Sequence, residues 1–219
     1  MTEIHEPKNR RTRAALLATI GIGAAAGFAL VAAAVARRKT APVDHKLHEQ
    51  TAVEPGSPVR DAAEAVAPVG KWWTYVPAAT LAGGYVFGRG AKERDLRARA
   101  AGTVAIIGAA CTAALVNKRF DDLLPQPPAP PGRPSPDHPV FPSGHAFGTL
   151  TVALASAYVI SREQLAPSAV VFPVAFAIPL TSSIARLMEE KHWISDIAGG
   201  YLAAITLASL SVAAYEAVS

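Results

Sequence analysis

At 219 residues the chain has room for one domain or two. Its 21 Lys and Arg against 17 Asp and Glu give a formal charge of +4, and 51% of its residues are apolar. The basic residues fall in short connectors rather than along a basic arm, which argues against nucleic acid and for membrane-flanking and anion-binding roles. The single cysteine, Cys111, excludes an intramolecular disulfide framework.

In chain order, residues 1–13 form a polar tail carrying Lys8, Arg10, Arg11 and Arg13. The uncharged run Ala14–Ala36 follows, 23 residues long and sufficient to cross a hydrocarbon core of ~30 Å as a helix. It is far longer than the ~7–15-residue apolar stretch of a signal peptide, so a retained anchor is expected. Residues 37–71 are a polar connector in which Asp61–Ala67 reads as a short interfacial helix. Five further uncharged runs come after it: Trp72–Phe87, Ala100–Asn117, His145–Ile160, Leu165–Ala185 and Ile197–Tyr215. Six such runs in one small chain are hard to bury in a soluble globule. The expected fold class is therefore all-α, a six-transmembrane-helix bundle embedded in the bilayer.

The connectors complete that reading. Gly88–Arg99 holds the densest basic cluster. Asn117–Pro142 reads as a loop, because eight prolines between Pro125 and Pro139 favour stiff extended backbone over helix. The domain reading is a basic cytoplasmic tail at 1–13, a first helix and connector at 14–71, and a five-helix core at 72–219. Gly21, Gly23, Gly27, Gly83, Gly84, Gly199 and Gly200 are read as packing positions between membrane helices.

Two short stretches carry chemistry. The first is Phe141-Pro142-Ser143-Gly144-His145; the second spaces Arg186, His192 and Asp196 by five and then three residues. His145 opens the fourth run and Arg186 closes the fifth, so both motifs lie on one side of the membrane, with Lys118 at the end of the third run. A phosphate ester needs fixed donors and positive charge aimed at its equatorial oxygens in the transition state. Arg186 and Arg133 offer planar forks and Lys118 a point charge. Ser143 and Gly144 lie where free N–H groups at a helix start favour an anion. Asp196, four residues after His192, is placed to orient that imidazole for attack on phosphorus. His145 then suits the protonation of the leaving group.

This constellation resembles the type 2 phosphatidic acid phosphatase superfamily, which also contains vanadium haloperoxidases. Its second motif, Pro-Ser-Gly-His, matches Pro142–His145. Its third, Ser-Arg-x5-His-x3-Asp, matches Arg186, His192 and Asp196, with Ala185 in the Ser position. The first, Lys-x6-Arg-Pro, is interrupted: Lys118 stands in place, but the available Arg-Pro is Arg133-Pro134, with Arg119 as a competitor. The resemblance implies a six-helix bundle, His192 as nucleophile, dephosphorylation without a metal or other cofactor, and an active site at the outer membrane face.

The function expected is an integral-membrane phosphatase for a lipid phosphate or diphosphate, working through a phospho-histidine. Two alternatives are a phospholipid-binding member without turnover and, less favoured, a vanadate-dependent haloperoxidase. With the N-terminus inside, Lys and Arg number ten on the inner connectors and eleven on the outer; setting aside Lys118, Arg133 and Arg186 as ligands leaves eight outside. That balance leans to an extracytoplasmic site. The Ala-, Arg- and Pro-rich composition points to a bacterial cell membrane. The sequence fixes neither the lipid nor the oligomeric state.

Overall fold

The computed structural model of the chain describes residues 6–89, 96–124, 126–131 and 140–219. Among these residues the fold is entirely helical. The elements are α1 (Glu6–Ala36), α2 (Ala41–Thr51), α3 (Pro58–Val66), a 3-10 turn (Ala67–Gly70), α4 (Trp72–Arg89), α5 (Leu96–Leu123), α6 (Gly144–Arg162), α7 (Ser168–Met188) and α8 (Ile194–Val218).

Five helical stretches are long and apolar enough to cross a bilayer: Asn9–Ala36, Leu96–Phe120, Gly144–Arg162, Ser168–Met188 and Ile194–Val218. The remaining expected span is helical as α4, but its Trp, Tyr, Gly and Arg content leaves it less apolar than those five. Large apolar side chains such as Leu30, Leu81, Val104, Leu115 and Phe176 are exposed around the bundle. So broad an exposed apolar surface is the mark of a lipid-facing belt.

Packing relies on small residues, as membrane helices require. Helix α1 runs antiparallel to α8: Gly21 meets Leu210 and Thr206, and Gly27 meets Leu202. Helix α4 runs antiparallel to α5, where the Thr103 hydroxyl donates to the Gly83 carbonyl at 2.9 Å. Helices α6 and α8 lie parallel. A Cβ on Gly200 would stand 2.6 Å from the Ser143 carbonyl oxygen, so the start of α6 sits directly on α8. Gly23 and Gly84 face open space, so the packing expected of them is not found. Val86, Ile106, Val159 and Tyr215 form the buried centre of the bundle.

Several boundaries differ from expectation, among them the start of α5, which opens at Leu96 within the expected 88–99 connector. Helix α1 begins at Glu6, so the basic tail is helical from that point. Helix α5 continues six residues past Asn117 to Leu123. Charge ends an uncharged run, but Lys118, Arg119 and Asp122 all tolerate helix, and Arg119 pairs with Asp122 at i,i+3. The 37–71 connector is also more ordered than read, holding α2, α3 and the 3-10 turn. Helix α3 starts on a Ser57 cap that accepts from the Arg60 N–H, and it buries Arg60 and Ala63.

Candidate active site

The ends of α5 and α7 meet the beginnings of α4, α6 and α8 around a cavity of about 320 Å³. Both sequence motifs arrive there. Helix α6 starts at Gly144 because Ser143 caps it, its hydroxyl accepting from the Ala146 N–H at 3.4 Å. The Ser143 N–H donates to the Asp196 carbonyl at 2.9 Å, which ties the first motif to the second. Ser143 itself is buried; Pro142, Gly144 and His145 line the cavity. A Cβ on Gly144 would fall 2.5 Å from the Asn117 side-chain amide, so the glycine lets that amide of α5 lie directly against the start of α6.

Helix α8 starts after Trp193, and its first turn is organised by Asp196. The fully buried Asp196 carboxylate accepts from the Trp193 N–H at 2.8 Å. The same Oδ2 atom stands 3.4 Å from His192 Nδ1. That distance is longer than an ideal hydrogen bond. The His192 and His145 ring centroids lie 6.4 Å apart, tilted at 59°, close enough to serve opposite sides of one phosphoryl group.

Cations surround the histidines. Lys118 from α5, Arg186 from the last turn of α7, and Lys71 from the turn before α4 all line the cavity. Arg186 is oriented by Glu189, whose Oε2 accepts from Nη1 at 2.9 Å. Burial pushes the Glu189 carboxyl above its ordinary range, against the opposing charge of Arg186. Burial, followed by the neighbouring Arg186, lowers the Lys191 ammonium. No Asp or Glu lines the cavity among the described residues. Nor do three or more His, Cys, Asp or Glu side chains converge as a metal cage among them. The arrangement suits a multiply charged anion.

The first motif divides between seen and unseen. Lys118 stands in the wall. Arg119 is exposed, 3.9 Å from Asp122, and outside the cavity. Arg133 lies outside the described residues. The described parts of the proline-rich segment brace both motifs: the Gln126 side chain accepts from the Val140 and Phe141 N–H groups and donates to the Phe141 carbonyl, each at 2.9 Å. The Pro128 carbonyl accepts from the Trp193 indole N–H at 2.7 Å.

Sequence reasoning missed Lys71, Trp72, Trp73, Tyr75 and Asn117 in the wall, and Gln126 behind it. The Lys71-Trp72-Trp73 run was the available signal, since Lys and Trp together mark a membrane–water boundary. Lys71 Nζ rests 4.6 Å from the Trp73 ring centroid. Gln126 gave no signal among its prolines.

The PAP2 superfamily model matches residues 99–218. The fold is similar to that of the first transmembrane PAP2-type phosphatidylglycerolphosphate phosphatase from Bacillus subtilis, with a TM-score of 0.73. Identity is 18%, over 88% of this chain and 94% of that one. No curated protein matches the sequence. With more than half the chain matched, including both histidine motifs, the protein is a member of the PAP2 superfamily, the group its motifs resemble.

Proposed function

We propose that this protein is a membrane phosphatase that hydrolyses a lipid phosphate or diphosphate of the phosphatidic acid, phosphatidylglycerol phosphate or polyprenyl phosphate type. One observation carries the reading: both histidines stand at a cavity whose charged wall residues, Lys71, Lys118 and Arg186, are all cations, beside the exposed Trp72 and Trp73. A cationic cleft next to an exposed tryptophan pair suits a phosphate carried on a lipid.

The residues divide the reaction as follows. Lys118, Arg186, the Gly144 N–H and Arg133 hold the phosphoryl oxygens, with Ser143 setting the turn. Asp196 accepts a hydrogen bond from His192 Nδ1, leaving Nε2 to attack phosphorus. The N–P bond forms as the bond from phosphorus to the lipid oxygen breaks, and His145 gives its proton to that oxygen. Water then attacks the phospho-histidine while His145 takes the water proton. Phosphate leaves and both imidazoles return to their starting state. No resident cofactor enters the scheme.

The membrane arrangement belongs to the same proposal. Helix α4 is the sixth crossing, Glu6–Arg13 opens α1 at the cytoplasmic face, and α4 to α8 form the catalytic core. Both termini are then cytoplasmic and the cavity extracytoplasmic, in a bacterial cell membrane. Cysteines at the exposed Glu49, beside the cavity end, and at Gln164, at the other end, test this once Cys111 is replaced. An impermeant thiol reagent on intact cells should label position 49 and spare position 164; the reverse puts the site in the cytoplasm. The activity is tested by phosphate release from a panel of lipid phosphates in detergent. Turnover that is absent from His192→Ala is expected, and turnover unchanged in that variant would overturn the mechanism.

A further inference from the structure

The segment between α1 and α4 lies outside the residues that the superfamily model matches, yet it grips the chain on both sides of His192. Before the histidine, the buried Arg60 donates to the Met188 carbonyl at 2.8 Å and to the Val53 carbonyl at 3.3 Å. The Val53 N–H also reaches the Met188 carbonyl, at 3.3 Å. His48 Nε2 stands 3.1 Å from the Glu190 carboxylate. Directly after the histidine, Trp193 packs its ring against His45 and His48, with centroids 5.0 and 5.4 Å away. Two residues further, the buried Asp44 takes both donors of Ser195: the N–H at 3.0 Å on one oxygen and the hydroxyl at 2.9 Å on the other.

His145 is held by the same segment. A Cβ on Gly70 would lie 2.0 Å from the His145 ring, so the backbone of the 3-10 turn rests directly on that imidazole. The contacts around His192 are local in consequence. His192 precedes α8 and Asp196 sits in its first turn, so their separation depends on how residues 190–193 join the helix. Ser195 lies at that junction. A buried carboxylate spending both oxygens on one residue fixes the junction far more firmly than a turn exposed to water.

We propose that residues 40–70 are a positioning clamp for the two histidines, with Asp44 as its chief positioning residue. It sets the His192–Asp196 geometry through Ser195, and it touches none of the cavity cations. This inference rests on the proposal that His192 and His145 carry the reaction.

The experiment compares wild type, Asp44→Ala, Asp44→Asn, Gly70→Ala and the exposed α2 control Glu49→Ala, all full length in detergent. Each is first checked for a single folded peak and then assayed in detergent on phosphatidic acid, phosphatidylglycerol phosphate and a polyprenyl phosphate, the variants being compared on the one that wild type turns over fastest. Misplacing a catalytic group by about 1 Å costs on the order of 10²-fold, so Asp44→Ala should lose ~10–100-fold in kcat. Its KM should stay within roughly threefold, because Lys118, Arg186 and Gly144 are undisturbed. Asp44→Asn retains an oxygen for the Ser195 N–H and should recover part of the loss, remaining about threefold or more below wild type. Gly70→Ala should lower kcat through His145, and Glu49→Ala should match wild type.

A purely structural Asp44 would lower the melting temperature and leave kcat per folded molecule unchanged. That outcome, or a loss confined to KM, overturns the clamp. If Asp44→Ala does not fold, Asp44→Asn decides, and a wild-type kcat there also overturns it. Wild type inactive on every lipid phosphate would refute the proposed function instead, which keeps the two failures distinct.

Discussion

At the end of the bundle away from the cavity, each deeply buried carboxylate meets a donor. Glu216 accepts from Arg162 Nε at 2.5 Å and from the Tyr158 hydroxyl at 2.7 Å, and Glu163 accepts from the Tyr215 hydroxyl. At the other end, Asp196 and Asp44 are spent on holding backbone, while the charged side chains lining the cavity are all cations. Burying charge is costly unless it is matched. The first end is matched internally and reads as structure. At the second, Arg186 is shared between Glu189 and the cavity while Lys71 and Lys118 stand in its wall with no carboxylate lining it among the described residues, and it reads as a site.

The comparison can be broken by exchanging the two kinds of residue. The largest effect belongs to His192→Ala, which should remove ~10⁴-fold or more of kcat while the protein stays folded, since a nucleophile has no substitute. Phosphate release by the purified variant measures it. Next come the arginines of the two ends. Arg186→Ala should cost on the order of 10²–10³ in kcat/KM as a lost phosphate donor, alongside some stability lost with its Glu189 pair. Arg162→Ala should lower stability and leave turnover alone. It leaves the Glu216 carboxylate buried without its cation, costs roughly 3 kcal/mol of stability, and spares turnover per folded molecule. Similar behaviour of the two variants would erase the distinction between the ends.

A sharper version sets two arginines of the interrupted motif side by side. Arg133→Ala should lose on the order of 10²-fold in rate, whereas the exposed Arg119 should be replaceable by Ala within about twofold. Equal small losses would show that Lys71, Lys118 and Arg186 complete the cage alone.

The smallest effect is on pH. A carboxyl raised by burial, as Glu189 is, favours its protonated form in the folded state. Its contribution to stability is present below the unfolded pKa and is lost as pH rises through the folded one. Wild type should therefore lose stability relative to Glu189→Gln as pH climbs from the ordinary carboxylate range to above that raised value. Melting curves in that window measure the difference. A gap that does not change with pH would mean Glu189 titrates alike in both states.

The apolar runs made the bundle readable, because length and lack of charge are what a bilayer selects. The two motifs foretold which helix ends meet: His145, His192, Arg186 and Lys118 all line the same cavity, with Asp196 behind His192. The clamp was hidden. Asp44, His48 and Arg60 look like ordinary solvated charges in a polar connector, and only their contacts with a segment more than a hundred residues away set them apart. The cavity wall was half hidden for a related reason. Lys71 and Asn117 sit at the margins of apolar runs, where charge and amide are expected at any membrane boundary. The extension of α5 was missed because a run defined by lack of charge ends before its helix does.

The most direct measurement is capture of the covalent intermediate. Enzyme mixed with a ³²P-labelled lipid phosphate and quenched within one turnover should carry acid-labile, alkali-stable label, and peptide mapping should place it on His192. His145→Ala should retain that label for longer, because hydrolysis then lacks its base, and His192→Ala should carry none. Full turnover by His192→Ala, or label on another residue, would contradict the account.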